Sequence, residues 1–528
     1  MAKASKTPQT PESSSSKTCQ GSPIDYGGVV NYADSEIVIG LVGAMGTDQQ
    51  YVAEVLIDRL DRAFRYSAEV VRISDLIPNR AAFLRDGMSE YERTSRLMDA
   101  GNAACGRAGD RKALALAAMT AINAGREEDD RHELKPRLRR AYIVRTFKRP
   151  EEVAAFREVY GSGFFLIGVY SDMTVRRHNL TDKKRMDDDE VASIVARDSD
   201  EHLPYGQRTS GTYHLADCFL DLTDNRRFEK DLWRVLDILF GHPYKTPTFN
   251  EYAMFMAFAA SLRSADLSRQ VGAVVARGDE ILATGANDCP RFGGGLYWPS
   301  RDPASLEISD DQNGRDYMRE EDSNARERES MIKEIADLLA KELDGEFSGR
   351  DPADIAAILR RSSLADITEY GRVVHAEMEA LLGCARNNVS ARDGVMYCTT
   401  FPCHNCAKHI VAAGIRRVVY IEPYPKSKAM SLHNDSTLMG RAKPGNQTKV
   451  EFVPFVGIGP RRFIDLFSMR SGSGYPVRRK ENDGKTLKWK QEDNGRLRTQ
   501  LPPYSYIDLE SIASRRYREK GLDNDDAA

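Results

Sequence analysis

Apolar runs of strand length alternate with helical segments through the first half of the chain. The first run, from Ile37 to Val42, is apolar throughout, as in a strand that is buried on both faces. Helical or charged segments separate four later runs of the same kind: AEVVRISDL, RRAYIVRTF, GFFLIGVYS and DCFLDLT. This order is typical of a parallel sheet that is covered by helices. It predicts an α/β domain over residues 35–243, which the amphipathic segment DLWRVLDILFG closes before a linker marked by Pro243 and Pro247.

The second half of the chain predicts another α/β domain, over residues 248–469. An apolar helix comes first, and two strands, VGAVVA and EILATG, follow it with a tight Gly-Asp turn between them. A helix after His375, a strand in VMYCTTF, a helix that stops at Gly414 and a strand in RRVVYIEP complete the pattern. An insertion at about 290–369 interrupts this domain, and its loop FGGGLYWPSRD could cover a pocket mouth. Residues 325–343 form an amphipathic stripe in the insertion, which favours packing in this chain or against a second subunit, with RNA binding as the alternative.

The ends of the chain and its composition limit the class of protein. Residues 1–34 are rich in Ser, Thr, Pro and Lys and should be disordered, while residues 470–528 predict a polar tail that is flexible or ordered by a partner. Of the 528 residues, 41% are hydrophobic and 29% are charged, as in soluble globular proteins. No apolar run approaches a membrane span or a signal peptide, and the eight cysteines do not resemble a disulfide framework, so we expect a cytoplasmic protein. The net charge of −3 does not suggest a general nucleic-acid binder.

One short motif in the second domain predicts a specific chemistry. His375 and Glu377 lie two positions apart at the start of a predicted helix, and Pro402, Cys403 and Cys406 follow a strand-like spacer. This spacing is the H-x-E and P-C-x-x-C signature of zinc-dependent nucleobase deaminases. One imidazole and two thiolates make three zinc ligands and leave a fourth position for water, as in catalytic zinc sites.

Glu377 is then free to move protons. It would accept the proton of the attacking water, protonate N3 of the ring as C4 is attacked, and pass a proton to the departing amine. The alternative is a closed structural zinc site with Cys384 or Cys398 as the fourth ligand. A structural site would leave the carboxylate of Glu377 unexplained.

A glycine-bearing turn in the first domain, GAMGTDQQ, joins the first strand to a helix. This order can place backbone amides around a phosphate, so Gly43, Gly46 and Thr47 are candidate nucleotide contacts. The turn departs from the Walker A pattern because it has no lysine to reach the β- and γ-phosphates. It therefore predicts either nucleotide binding without efficient phosphoryl transfer or a structural relic of a kinase fold. Arg176 and Arg177 could meet phosphate or belong to a solvated helix face.

These motifs and their order resemble a known group of enzymes. The C-terminal half, with its zinc motif and the opening that ends in TGAND, resembles the deoxycytidylate deaminase family. The whole chain resembles the two-domain antiphage branch of that family, in which a P-loop kinase-like domain precedes the deaminase. The resemblance implies an N-terminal P-loop-like parallel α/β domain, a C-terminal cytidine-deaminase-like α/β/α domain with a mixed sheet, and one catalytic Zn2+ per chain.

Three further residues are candidate substrate contacts. By the resemblance, Asn287 in TGAND falls where the family uses an asparagine on the sugar, whereas a simple turn residue is the competing interpretation. Tyr424 lies just beyond a strand end, where a loop can reach the base or sugar, and Lys426 is chemically suited to phosphate. The alternative for both is an ordinary surface loop.

The leading functional hypothesis is hydrolytic deamination of dCTP or dCMP to the deoxyuridine nucleotide and ammonia. The resemblance implies depletion of dCTP in antiphage defence, a homo-oligomer with nucleotide regulation and, in some members of the branch, restraint by a small RNA. One alternative is a deaminase of single-stranded DNA or RNA, which would want a basic, aromatic-lined channel. Another is a nucleotide-sensing regulator whose N-terminal domain is the effector.

Overall fold

The computed structural model describes residues 34–126, 134–342, 351–367, 369–443, 445–470, 476–501 and 503–522. The disorder predicted for residues 1–34 lies outside this description, apart from Asp34. No helix in these ranges is both long and apolar enough to cross a membrane.

A parallel sheet forms the centre of the N-terminal half, and its strands fall on the five predicted runs, with β2 beginning one residue before its run. Its strands are β1 (Ile37–Val42), β2 (Ser67–Arg72), β3 (Arg140–Arg145), β4 (Phe164–Tyr170) and β5 (Cys218–Asp221). They are ordered β2-β3-β1-β4-β5, and every neighbouring pair is parallel. The residues of β1 are buried on both faces, which explains why its sequence is apolar without alternation.

Helices cover both faces of this sheet. They are α1 (Gln49–Phe64), α2 (Arg80–Phe83), α3 (Glu90–Ala108), α4 (Ala113–Ala124), α5 (Pro150–Tyr160), α6 (Met173–His178), α7 (Asp188–Ser199), α8 (Thr209–Tyr213) and α9 (Asn225–Leu239). The amphipathic segment predicted to close the domain lies in α9.

A second, mixed sheet forms the centre of the C-terminal half. Its strands are β6 (Gly272–Arg277), β7 (Glu280–Ala286), β10 (Val395–Thr400), β11 (Arg417–Glu422), β12 (Thr437–Met439) and β13 (Val450–Pro454), and a separate ribbon contains β8 (Ser300–Arg301) and β9 (Ile308–Ser309). The order is β12-β13-β11-β10-β6-β7. β6 pairs antiparallel with β7 and β10, whereas the β10-β11, β11-β13 and β12-β13 pairs are parallel. The mixed sheet predicted for this half is confirmed.

The helices of the C-terminal half are α10 (Phe249–Ser261), α11 (Ser323–Glu342), α12 (Pro352–Leu359), α13 (Ala376–Arg386), α14 (His404–Ala412), α15 (Ala429–Leu432), α16 (Phe463–Phe467), α17 (Gln491–Asn494) and α18 (Pro503–Glu519). The insertion contains α11 and α12, which pack against each other. Ile332 and Ala336 of α11 are buried in one small cluster with Ile355 and Ala356 of α12. The amphipathic stripe is thus used for packing within this chain, although Leu338 on it is exposed.

The two halves share a sheet edge. The short strand β14 (Gly457–Ile458), which follows the second sheet in sequence, pairs antiparallel with β5 of the first sheet. The side chain of Glu251 at the start of α10 is fully buried there, pairs with Arg234 of α9 at 2.7 Å, and accepts a hydrogen bond from the amide of Ile458 at 2.8 Å.

The C-terminal segment differs from its prediction. α18 packs against α4 of the N-terminal half, and Tyr506 and Ile507 join the core there. The buried guanidinium of Arg126 pairs with Glu510 of α18 at 2.6 Å and with Glu36 at 2.8 Å. The prediction of a flexible or partner-ordered tail was therefore wrong for residues 503–522, because a few apolar positions and a long-range ion pair offset the polar composition.

Candidate active site

The predicted zinc ligands lie at the N-termini of two helices. His375 is the N-cap residue of α13, and Cys403 is the N-cap residue of α14. The Cys403 sulfur accepts a hydrogen bond from the backbone amide of Cys406, at 3.4 Å. Pro402 before the cap and Gly414 after the helix, at φ +75°, agree with the predicted start and stop of α14. Orphan amides and the helix dipole favour negative charge at such a terminus.

The helix that carries His375 and Glu377 lies unusually close to the sheet. A Cβ atom at Gly285 of β7 would lie 2.1 Å from the carbonyl oxygen of Ala376 and 2.5 Å from the amide nitrogen of Ala380. Any side chain at Gly285 would therefore push α13 away from the sheet. The glycine in TGAND thus fixes the position of the first zinc ligand.

The three ligand atoms fit a zinc ion. The Nδ1 atom of His375 lies 3.3 Å from the sulfur of Cys403 and 3.3 Å from that of Cys406. All three ligand atoms lie within 4.8 Å of one another. Ordinary Zn–N and Zn–S bonds at a tetrahedral angle place nitrogen and sulfur about 3.6 Å apart. The group is therefore a pre-formed site for one tetrahedral ion.

The closed structural alternative finds no support in the described residues. Cys384 and Cys398 are buried in the core behind the site and do not belong to the ligand group, which contains His375, Cys403 and Cys406 alone. Three protein ligands leave one position on a tetrahedral ion open to water or substrate.

Hydrogen bonds couple the ionisation of the three ligands, and the bond to Cys403 together with burial raises the pKa of Cys406 well above its ordinary value. The hydrogen bond with Cys406 lowers the pKa of Cys403 to about 4, and His375 adds to this effect. The hydrogen bond to Cys403 raises the pKa of His375 to about 9. Burial raises the pKa of Glu377, whose side chain is only 4% exposed. Cys403 is thus held as a thiolate, and Glu377 is shielded from bulk water.

A cavity of about 270 Å³ lies over the ligand group. Glu377, His375 and Cys403 line it, and Thr400 and Phe401 from the end of β10 contribute to its wall. The cavity therefore combines the ligand group and a buried carboxylate with space for a small ring.

Two of the three predicted substrate contacts line the cavity, and the third lies outside its lining. Asn287 lines the cavity, but its amide group donates to the carbonyl of Arg269 at 2.8 Å and accepts from the amide of Val271 at 2.7 Å. Tyr424 also lines the cavity, and the guanidinium of Arg269 lies 5.4 Å from its ring centre. Lys426 is exposed and is not one of the cavity-lining residues.

The insertion contributes residues that sequence reasoning missed. Asp316, Asp322 and Asn324 line the cavity, from a segment more than 50 positions before His375. No motif marks them, and only the fold brings them to the site. The loop that was expected to cover the pocket mouth does not line the cavity; instead Trp298 stacks against Arg263 at 3.7 Å.

The candidate nucleotide contacts of the first domain lie together, about a separate cavity. Gly43, Gly46 and Thr47 follow β1 and line a space of about 490 Å³. Gly46 has φ +90°, and a Cβ atom there would lie 2.7 Å from the carbonyl oxygen of Arg176, so this glycine is required by packing under α6. Arg176 donates to the carbonyl of Met45 and does not lie on a solvated helix face.

Comparison with known proteins agrees with the geometry of the zinc site. Residues 247–422 match the family described as the cytidine and deoxycytidylate deaminase zinc-binding region. The deoxycytidylate deaminase of Schizosaccharomyces pombe is 25% identical over 299 residues, which are 55% of this chain and 73% of the relative. That of Enterobacteria phage T4 is 29% identical over 181 residues, which are 33% of this chain and 77% of the relative.

Two solved structures also align with part of the chain. The dCMP deaminase of cyanophage S-TIM5 in its apo form aligns with a TM-score of 0.20 and 18% identity over 39% of this chain and 98% of its own. The same enzyme in complex with dCMP and dUMP aligns with a TM-score of 0.21 and 19% identity over the same shares. The family match and the curated relatives show that the C-terminal half contains a zinc-binding deaminase domain, and the prediction of a hydrolase of the deoxycytidylate deaminase type is confirmed.

Proposed function

We propose that this chain hydrolyses the exocyclic amine of free deoxycytidine nucleotides, dCMP or dCTP, to give deoxyuridine nucleotides and ammonia. The observation that carries the proposal is the juxtaposition of the His375, Cys403 and Cys406 ligand group with the buried carboxylate of Glu377 in one small cavity. The curated relatives with the name deoxycytidylate deaminase support the choice of substrate.

Each residue of the site has its own role in the proposed reaction. His375, Cys403 and Cys406 would hold a zinc ion, which would supply Lewis-acid chemistry. Glu377 would accept a proton from the attacking water and deliver it to N3 of the cytosine ring as the water oxygen bonds to C4. It would then move a second proton to the amine as the C4–N bond breaks and ammonia leaves. Because Glu377 is almost fully buried, these transfers are shielded from bulk solvent. We assign Asn287 and Tyr424 to the sugar and base, and Lys426 to the phosphate.

The lining of the cavity favours a free nucleotide over a polynucleotide. Asp266, Asp316 and Asp322 all contribute to the wall of the cavity. Single-strand binders use a basic groove with stacked aromatic rings, whereas the only arginine that lines this cavity in the described part of the chain is Arg269, and the aromatic rings of the cavity are those of Phe401 and Tyr424. Arg269, which lies over Tyr424, is a second cation, besides Lys426, that is suited to one terminal phosphate group.

The proposal is tested by a product assay on the purified chain. dCMP, dCTP, CTP and a cytosine-containing single strand of DNA are offered separately, with Glu377→Gln as the inactive control. Deoxyuridine nucleotide from dCMP or dCTP is the expected result, and the ratio of the two rates gives the phosphate preference. Uracil formed only in the DNA strand would replace the proposal with a polynucleotide deaminase.

The N-terminal half adds a second element to the proposal. We infer that it is a P-loop kinase-like domain that binds a nucleotide near Gly43, Gly46 and Thr47. The β2-β3-β1-β4-β5 order supports this, because the cavity lies beyond the carboxyl ends of parallel strands beside β1, where the order reverses. On the resemblance alone, we further propose that the protein depletes dCTP in antiphage defence and forms a cytoplasmic homo-oligomer. We also propose that a small RNA restrains its activity.

A further inference from the structure

The cavity in the N-terminal half has a wall of basic residues at the ends of adjacent strands. We call this space of about 490 Å³ the N-terminal cavity. Arg72 ends β2 and Arg145 ends β3, and the two residues are direct partners in the parallel register. Like charges opposite each other on neighbouring strands destabilise a sheet. A pair of arginines in this position therefore indicates an anion that would offset their repulsion.

Arg145 is the less compensated of the two cations. Its side chain hydrogen-bonds to the amide oxygen of Gln50, and no carboxylate lies within ion-pair distance among the described residues. It is only 9% exposed, and burial together with Arg72 lowers its pKa. Arg72 lies 4.0 Å from Asp75, which is closer to Arg80 at 3.2 Å.

Four other basic residues of the N-terminal cavity have acidic partners. These pairs are Arg149–Glu152 at 3.0 Å, Arg93–Glu90 at 3.7 Å, Lys183–Asp48 at 3.6 Å and Lys148–Asp198 at 2.5 Å. Lys184 also lines the cavity, and no carboxylate lies within ion-pair distance of it among the described residues. The least compensated cations of the cavity are therefore Arg72, Arg145 and Lys184.

Several residues that line the same space have a polar atom without a hydrogen-bond partner. Buried side-chain polar groups are normally hydrogen-bonded, and each exception requires an explanation. Five buried atoms without a hydrogen-bond partner belong to residues that line the N-terminal cavity: Thr47 Oγ1, Arg72 Nε, Ser74 Oγ, Arg145 Nε and Gln207 Oε1. Two guanidinium groups and two hydroxyls are the donors that phosphate oxygens accept from.

Apolar side chains also line the cavity. They are those of Ile77, Leu97, Met98 and Leu114, from the segment after β2 and from α3 and α4. A site for inorganic phosphate alone would not need them. A cavity that combines apolar and cationic side chains instead matches a molecule with a flat ring and a phosphate group.

A backbone amide of the glycine turn already has a hydrogen-bond partner within the chain. The amide of Met45 donates to a carboxylate oxygen of Asp198 at 2.8 Å, and the other oxygen of Asp198 binds Lys148 and the hydroxyl of Thr209. A backbone donor that could bind a transferable phosphate is therefore used internally, and so is the nearby lysine. Recognition of an external phosphate falls to Arg72 and Arg145.

We propose that the N-terminal cavity is a binding site for a nucleoside monophosphate, with the phosphate between Arg72 and Arg145 and the base against Ile77, Leu97 and Leu114. The inference deepens the nucleotide site of the proposed function and rests on it, but it is independent of the deaminase reaction. The site binds its ligand without transferring a phosphoryl group.

The test compares Arg145→Met with Arg140→Met in the full chain. Arg140 lies at the opposite end of β3, where it pairs with Glu69, so its substitution is a matched control. Calorimetric titration and thermal unfolding are measured with AMP, GMP, dTMP, dUMP and inorganic phosphate as probes. Every titration is repeated in a Cys403→Ser background, because binding that persists without the zinc site belongs to the N-terminal cavity.

We expect at least one nucleoside monophosphate to bind the wild type and Arg140→Met and to raise their Tm. Arg145→Met should bind it about tenfold more weakly or worse, since a charge-assisted hydrogen bond is lost. The ligand-free Tm of Arg145→Met should equal or exceed that of the wild type, because a repulsive buried charge is removed. Thr47→Val, which removes one orphan hydroxyl with little change of shape, should weaken binding severalfold.

Several results would overturn the inference. These are undiminished binding by Arg145→Met, failure of all four nucleotides to bind at millimolar concentration, or inorganic phosphate binding as tightly as every nucleotide. Transfer of phosphate from ATP to the bound monophosphate would contradict the non-transferring role. None of these results depends on deamination, so a failure of the proposed deaminase activity remains a separate outcome.

Discussion

At the scale of single residues, Cys403 has two roles in one position. Its sulfur caps α14 and also belongs to the metal-ligand group. Serine is a good N-cap residue but a poor zinc ligand, so Cys403→Ser should keep the helix and lose the metal. We expect zinc per chain to fall from near one to near zero, with an unchanged far-UV circular dichroism spectrum.

Cys384→Ala is the control for that substitution. Cys384 is buried in the same core but lies outside the ligand group, so its variant should retain zinc. Full zinc occupancy in Cys403→Ser would contradict the ligand assignment.

A substitution at Asn287 can separate its two interpretations, which are a contact with the sugar and a simple turn residue. Its side chain bridges the carbonyl of Arg269 and the amide of Val271, and Asn287→Ala would leave these groups without their partner. We expect a loss of about 1–3 kcal/mol in the free energy of unfolding together with a raised KM, because the bridged segment lines the cavity. A raised KM with no loss in denaturant unfolding would make Asn287 a substrate contact alone.

At the scale of elements, α18 depends on one buried cation. Arg126 neutralises both Glu36 and Glu510, and all three side chains are almost completely buried. Arg126→Met would leave two uncompensated carboxylates, so we expect a loss of about 3–5 kcal/mol in the free energy of unfolding at neutral pH. Hydrogen exchange of α18 should accelerate more than that of β1.

Acidification provides the internal control for this prediction. Burial already raises the pKa of Glu510, and loss of Arg126 removes the interactions that oppose this shift. A carboxyl group with a raised folded-state pKa gives stability that is present at low pH and is lost as the pH rises through the unfolded-state and then the folded-state pKa. Arg126→Met should therefore regain stability on acidification towards pH 5, and a deficit that grows there would contradict the explanation.

Local patterns predicted most of the elements, and they failed where distant residues decide the structure. The run Ile37–Val42 is apolar enough to be recognised alone, and the zinc motif is defined by spacing within one βαβ-like stretch. By contrast, Arg126 and Glu510 are 384 positions apart. Asp322 and Asn324 reach the active-site cavity only through the fold of the insertion. No periodicity in the sequence records contacts of this kind.

At the scale of the whole molecule, the two halves are coupled through α9, α10 and β14. Arg234 neutralises the fully buried Glu251, which also binds the backbone of β14. Arg234→Met should lower the free energy of unfolding by about 3–5 kcal/mol and separate the unfolding of the two halves in differential scanning calorimetry. Arg227→Met on the same helix removes only a partly exposed pair with Asp231, so it should change stability by less than about 1 kcal/mol. Equal effects of the two variants would show that the buried pair does not couple the halves.

The most direct measurement compares Glu377→Gln with Glu379→Gln for zinc content and dCMP turnover. Glu379 lies on the same helix but pairs with Arg386 and does not line the cavity. We predict that Glu377→Gln retains about one zinc per chain and loses turnover by a factor of about 10²–10⁴, since general acid-base catalysis contributes rate enhancements of that size. Glu379→Gln should keep both zinc and turnover. Turnover by Glu377→Gln at the wild-type rate, with zinc retained, would contradict the assignment of proton transfer to this carboxylate.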